Sequence, residues 1–140
     1  MVAKVQAFCR ETRQPVPRTH GEIARCVLES LALLYRVEMD ALEKLTGRKL
    51  SVLHIVGGGS RNDLLNQATA DATGRTVVAG PVEATAAGNI LIQAVAMKEI
   101  RGLKGVREVV RKSFPSKTYR PSSDARWAGA LRSFKSLKRA

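Results

Sequence analysis

Three consecutive glycines, Gly57, Gly58 and Gly59, stand between the apolar run Leu53-His54-Ile55-Val56 and the polar residues Ser60 and Asn62. A β-branched run that stops at glycines and gives way to Ser or Asn reads as a strand ending in a tight loop that opens a helix. Glycine has no Cβ to hold a ligand off the backbone. The first amides of a helix have no intrahelical partner, and the positive end of the helix dipole lies behind them. The chemistry on offer is close contact with a nucleotide or another polar, anionic ligand. A plain tight turn would use the same glycines. Helix capping alone would account for Ser60 or Asn62, although Asn62 is equally suited to touch a ligand.

Other chemistries find less support. The loop is not a Walker loop, because no Lys-Ser or Lys-Thr follows the glycines, and it lacks the second gap of the dinucleotide fingerprint. Phosphate gripping by a lysine is therefore not expected. His54 lies inside the apolar run and His20 beside a helix start, and neither has a Ser-His-Asp partner signal. No His, Cys or carboxylate cluster has metal-ligand spacing, so no catalytic residue and no metal ligand is assigned. Glu83 follows Pro81 at a helix start, where a carboxylate interacts well with the dipole, and this structural role outweighs a catalytic one.

The elements that must position the loop follow from periodicity. Residues 1–18, with Pro15 and Pro17, read as an irregular lead-in with a short helix around 5–10. Thr19 and Glu22 fit a capping box that opens a long helix. Its core stripe is expected to be Ile23, Val27, Leu31, Leu34, Leu42 and Leu45, with Gly47 as C-cap. Residues 50–56 suit a strand buried on both faces of a parallel sheet. A helix over 62–73, stopped by Gly74, and a second strand over 76–79 complete a βαβ unit, whose loop lies where α/β folds place ligands. Gly80 and Pro81 break that strand. A small-residue helix is expected over 83–98 and another over 104–112, ended by Phe114 and Pro115. A connector runs to Ser123, and a last helix from Asp124 carries the stripe Trp127, Leu131, Phe134 and Leu137. The core is thus an α/β unit over 19–121, followed by a basic C-terminal helix over 122–140.

With 140 residues, 44% apolar and only 4% aromatic, one core built from Leu, Val, Ile and Ala is expected. The net charge of +12 is unevenly placed: residues 1–100 carry 12 basic and 10 acidic side chains, residues 101–140 carry 12 basic and 2 acidic. That basic tail lacks the interleaved aromatics that stack on bases, so nucleic acid is not expected as a partner. No membrane span and no apolar signal core is seen. Cys9 and Cys26 are too few for a disulfide scaffold and read as buried or idle thiols in a cytoplasmic protein.

The run Val56-Gly57-Gly58-Gly59-Ser60-Arg61-Asn62 is followed by Thr69-Ala70-Asp71-Ala72-Thr73-Gly74-Arg75 and Ala79-Gly80-Pro81-Val82-Glu83-Ala84-Thr85. On these residues the sequence resembles the rhamnulokinases, members of the large carbohydrate-kinase family with an actin-like ATPase (ribonuclease H-like) fold. Upstream the likeness extends through Ala7-Phe8-Cys9-Arg10-Glu11-Thr12, Ile23-Ala24-Arg25-Cys26 and Glu29-Ser30-Leu31-Ala32-Leu33. The resemblance implies a fold of short parallel strands with flanking helices. It implies two lobes with ATP and sugar between them, and transfer of the γ-phosphate of ATP to a primary hydroxyl of L-rhamnulose, with Mg2+ in the complete enzyme. It assigns the adenosine contact to Gly58 first, then Gly57 and Gly59, with Ser60 and Asn62 as neighbours. The chain corresponds to the C-terminal portion of the second lobe. An N-terminal lobe bearing the phosphate hairpin, the sugar contacts and the general base has no counterpart here, so the chain alone is expected to be inactive. Arg13 stands where the family pattern calls for glycine. The alternative is a non-catalytic nucleotide-binding or scaffolding module that pairs with a separate N-terminal half.

Overall fold

The computed structural model describes residues 1–122 and 125–137. Helix α1 (Val2–Glu11) already occupies most of the lead-in expected to be irregular. It ends where Arg13 takes φ 56°, the left-handed backbone that glycine adopts freely. Helix α2 (His20–Thr46) opens on the anticipated capping box: the Thr19 side chain accepts from the Glu22 amide and the Glu22 carboxylate accepts from the Thr19 amide. The same carboxylate also accepts the Arg18 amide. These backbone bonds, Arg18 first, hold the Glu22 pKa below its ordinary value. Gly47 closes α2 at φ 65°.

Next come β1 (Val52–Ile55), a single 3-10 turn at Gly58–Arg61, α3 (Asp63–Thr73), β2 (Thr76–Ala79), α4 (Ala84–Ala96), α5 (Gly102–Ser113), β3 (Lys117–Tyr119) and α6 (Arg126–Leu137). β1 and β2 pair in parallel with Val52 opposite Thr76 and Ile55 opposite Ala79, and α3 is the crossover between them. The βαβ unit is therefore as read. β3 is not: it lies antiparallel to β2, in the segment expected to be a connector, and makes the sheet mixed rather than parallel, in the order β1-β2-β3.

Helix α3 separates two small cores. On one side Ala68 and Ala72 meet Ala32 and Leu33 of α2 and Trp127 of α6, with Ala130, Leu131 and Phe134 packed around them. On the other, Ala70 joins Val77, Ala79 and Tyr119 of the sheet, with Leu53 and Ile55 alongside. Alanines at these contacts let α2 and α3 approach closely. That corrects the stripe expected for α2. Burial falls on Ile23, Ala32, Leu33 and Met39, whereas Leu42 and Leu45 are exposed, because the last turns of α2 meet Leu50 and Arg75 through Asp40 and Glu43 instead.

β1 is also corrected. It lies at an edge of the sheet with alternating exposed and half-buried residues, not buried on both faces. The tail helix carries the expected Trp127 stripe, but its expected start at Asp124 lies outside the described residues. No helix among the described residues is long and apolar enough to cross a membrane.

Candidate functional site

The C-terminal ends of the two parallel strands turn toward each other. After β1 the chain enters Gly57 with φ 77° and ψ −161°, a conformation that side chains other than glycine reach only with strain. The Gly57 amide donates to the Pro81 carbonyl at 3.0 Å, and the Gly80 amide of the second turn donates to the Ile55 carbonyl at 2.8 Å. Gly80 has φ 114° and follows β2 into a cis peptide bond with Pro81. A Cβ at Gly80 would stand 3.0 Å from the Pro115 carbonyl oxygen, so glycine is needed here for space as well as for backbone angle. Two loops that follow parallel strands are thus tied into one surface. Open α/β sheets bind ligands at such carboxyl ends.

Within the first loop the five residues singled out by sequence divide by role. The Gly57 carbonyl accepts from both the amide (3.0 Å) and the hydroxyl (2.7 Å) of Ser60. Ser60 is buried, and its hydroxyl is turned back into the loop rather than outward. Asn62 is the cap of α3: its Oδ1 accepts from the Leu65 amide at 3.0 Å, the role anticipated for Ser60 or Asn62. Gly58 and Gly59 are exposed. A Cβ at Gly58 would meet nothing within 4 Å, and one at Gly59 only the Ile55 side chain at 3.8 Å. The open face of the loop is therefore Gly58 and Gly59, with Gly57 as the bend and Ser60 and Asn62 as its scaffold.

Two supports were not anticipated from sequence. Asn66 is completely buried and its Nδ2 donates to the Ser60 carbonyl at 2.9 Å, so the first turns of α3 grip the loop from behind. Its Oδ1 has no hydrogen-bond partner among the described residues. The signal was an asparagine one turn after the cap, on the face of α3 that also buries Thr69 and Thr73. Asp63, in the first turn of α3, binds Lys117 (2.7 Å) and the Tyr119 hydroxyl, both from β3. The hydrogen bond from Lys117, then that from Tyr119, holds the Asp63 carboxyl below its ordinary pKa, and the same pairing raises Lys117.

Glu83 is exposed at the N-cap position of α4 and makes no side-chain cap bond, so the structure adds no chemistry to it. His54 is exposed on β1 and His20 opens α2, both remote in role from the loop. No group of three His, Cys, Asp or Glu side chains among the described residues is placed to hold a metal ion. A groove of about 900 Å³ lies between α1, α2 and α6 and not at the glycines, which sit on an open face.

Comparison with known proteins shows the family of the chain. Residues 4–97 match the C-terminal domain of the FGGY family of carbohydrate kinases. The chain is 50% identical over 121 residues to a rhamnulokinase of Bacillus subtilis (strain 168), which covers 86% of this chain and 25% of that protein. It is 49% identical over 139 residues to a rhamnulokinase of Bacteroides thetaiotaomicron, covering 99% of this chain and 29% of that protein. A third rhamnulokinase, from Enterobacter sp. (strain 638), is 51% identical over 123 residues, 88% of this chain and 25% of its own length. The chain thus spans between a quarter and three tenths of the curated relatives it matches. With its βαβ unit, its glycine loop and nearly all of its first 97 residues inside the matched region, this chain belongs to the FGGY family of carbohydrate kinases, as its C-terminal domain.

Proposed function

We propose that this chain is the adenosine-side part of a rhamnulokinase-type kinase with the actin-like ATPase fold, which when complete transfers the γ-phosphate of ATP to L-rhamnulose. The observation that carries the site is the bare backbone at Gly58, where nothing lies within 4 Å of the missing Cβ and a flat ligand can rest on the peptide plane. The sugar is proposed from the name shared by the matched relatives. Gly58, then Gly57 and Gly59, would contact the adenosine, with Ser60 and Asn62 holding their shape.

Phosphoryl transfer depends on positioning and on charge stabilisation from several sides of the phosphate. The described residues near the loop supply backbone and a cap. The carboxylate that opens α3 after the loop, Asp63, is already engaged by Lys117 and Tyr119. They do not fit a Mg2+ site, so no step is assigned to a metal here. The general base and sugar contacts belong to sequence that the longer relatives carry and these 140 residues do not. The chain alone is expected to bind nucleotide weakly and to phosphorylate nothing. A soluble nucleotide donor and a soluble sugar suit a cytoplasmic setting.

Calorimetric titration of ATP and of adenosine into the purified chain tests the site. Comparable heats for the two ligands are expected, since contact is with the adenosine. No saturable binding of either would overturn the assignment of the loop. Robust ATP-dependent phosphorylation of rhamnulose by these 140 residues would overturn the claim that essential groups lie elsewhere.

A second reading is favoured by α4 and the start of α5, where Ile90, Ile92, Met97 and Leu103 are exposed. On that reading the chain is a non-catalytic module paired with a separate N-terminal half. Recovery of a soluble monomer with no partner on affinity purification from its native cells would remove it.

A further inference from the structure

Away from the glycine loop, the groove of about 900 Å³ between α1, α2 and α6 has the size of a small-molecule site, roughly 300–1,000 Å³. Its walls include Val5 and Phe8 of α1, Leu31 and Leu34 of α2, and Phe134 and Leu137 of α6. Phe8 is exposed and the other five are half-buried, so large apolar side chains from three helices meet water in one depression. The polar groups along these walls are mostly spent within the protein. The Glu22 carboxylate accepts the Arg18 and Thr19 amides, and Arg25 pairs with Glu29 at 2.8 Å. The Ser30 hydroxyl donates to the Cys26 carbonyl, and the Gln14 side chain donates to the Thr12 hydroxyl. Lys4 differs. It is exposed, stands one turn before Phe8 on α1, and has no acidic partner within ion-pair distance among the described residues. An apolar depression with one uncompensated cation on its wall complements a ligand with an apolar tail and a single negative head. A protein partner would bring a polar rim of about ten hydrogen bonds, for which these walls keep few unspent groups.

We propose that this groove binds a single-chain amphiphilic anion, a fatty acid carboxylate, with its alkyl tail between α1, α2 and α6 and its head paired with the Lys4 ammonium. The flexible lysine stem lets the charge follow the head while its own methylenes cover the start of the tail. The tail supplies affinity, because burying each further methylene strengthens binding by about fourfold. Lys4 supplies the sign of the head, so a cation with the same tail is disfavoured. This site is separate from the glycine loop and does not depend on what that loop binds.

The experiment titrates laurate, its shorter homologue decanoate and the cation dodecyltrimethylammonium into the folded 140-residue chain by calorimetry, below the concentrations at which they form micelles. One laurate per chain is expected, with decanoate bound about tenfold more weakly. The cation, which has the tail length of laurate, should also bind about tenfold more weakly. Lys4→Glu is expected to weaken laurate by about tenfold and to favour the cation instead. Lys104→Glu makes the same change of charge at an exposed position of α5 and should leave both affinities as they are. Equal binding of laurate and the cation, an equal loss of laurate in the two variants, or uptake without saturation would overturn the proposal. So would a chain that sediments as a dimer and takes up no laurate, which assigns the groove to a second copy. The comparison of laurate with the cation on the wild-type chain decides the matter even if Lys4→Glu fails to fold.

Discussion

The two ends of α3 are secured in opposite ways. Its C-terminal end is clamped by charge. Arg36 donates to the Ala72 and Thr73 carbonyls at 3.3 and 2.9 Å, and Arg75 donates to the Thr73 carbonyl (3.2 Å) and the Leu50 carbonyl (2.8 Å). Asp40 and Glu43 of α2 bind the same guanidinium of Arg75 at 3.2 and 2.8 Å. Two cations over the last carbonyls of a helix also suit its dipole. The N-terminal end is gripped mainly by neutral groups, the Asn62 cap and the buried Asn66, with only the exposed Asp63–Lys117 pair beside them, and beyond them the glycine backbone is left bare. One end spends every donor and acceptor on the fold. The other holds a loop in shape while keeping its outer face open to something else.

If that contrast is right, Arg75 carries the largest stability effect in the pair. Its side chain is only 11% exposed. Arg75→Met would remove the donor to the Leu50 carbonyl and leave the Thr73 carbonyl and Asp40 to Arg36, and Glu43 to the Leu50 amide. A loss of about 2 kcal/mol is expected in urea unfolding, since the Leu50 carbonyl loses its donor and Asp40 and Glu43 lose a largely buried cation. A loss below about 0.5 kcal/mol would show that the charged end is no more than a solvated cluster.

The same end should set the acid sensitivity. Burial tends to raise Asp40, but hydrogen bonds from Arg36 and Arg75 outweigh it and hold its pKa below the ordinary 3.8. The Leu50 amide, then Arg75, lowers Glu43 below its ordinary 4.5. Carboxylates with lower pKa values in the folded than in the unfolded chain contribute fully above the unfolded values. That contribution is lost as pH falls below them and through the folded values. The urea midpoint is expected to drop below about pH 4.5. The drop should be shallower in Arg75→Met, and an equal slope in the two proteins would contradict the assignment.

At the loop end Asn66→Ala is expected to cost about 1–2 kcal/mol, because the Ser60 carbonyl loses its buried donor. Nucleotide affinity should fall with it, since the loop loses its support from α3. Unchanged affinity with reduced stability would mean that the 3-10 turn at Gly58–Arg61 keeps its shape without α3.

What could be read in the sequence divides along the same line. Residues whose type dictates a backbone role were legible: Thr19 with Glu22, Gly47, Gly74, Asn62 and the three glycines all act locally, through their own φ or a bond a few residues away. What depends on partners far along the chain was not. Lys117-Thr118-Tyr119 lies between Pro115 and Pro121 and becomes a strand only because β2 offers an edge. The α2 stripe turned to Ala32 and Leu33 because α3 and α6 pack against that face of the helix. The Arg75 network joins positions spread from Arg36 to Thr73, none carrying a local signature. Even Ser60 illustrates the limit: its place in the loop was legible, but the inward turn of its hydroxyl depends on the strained backbone of Gly57.

The smallest effect on stability should be the most informative. Gly57 and Gly58 are adjacent, yet a methyl group added to each meets different obstacles. Gly57→Ala places an L side chain at φ 77°, so a loss of about 1–2 kcal/mol is expected whether or not any ligand binds there. Gly58→Ala has ordinary backbone angles and open space, so its unfolding free energy should stay within about 0.5 kcal/mol of wild type. If adenosine rests on that peptide, the same methyl group occupies the place of the base or ribose, and affinity for ATP should fall about tenfold or more. Stability retained with binding lost is an outcome that no purely structural role for the loop can produce. Stability and binding both retained would return the three glycines to a plain strand-to-helix turn.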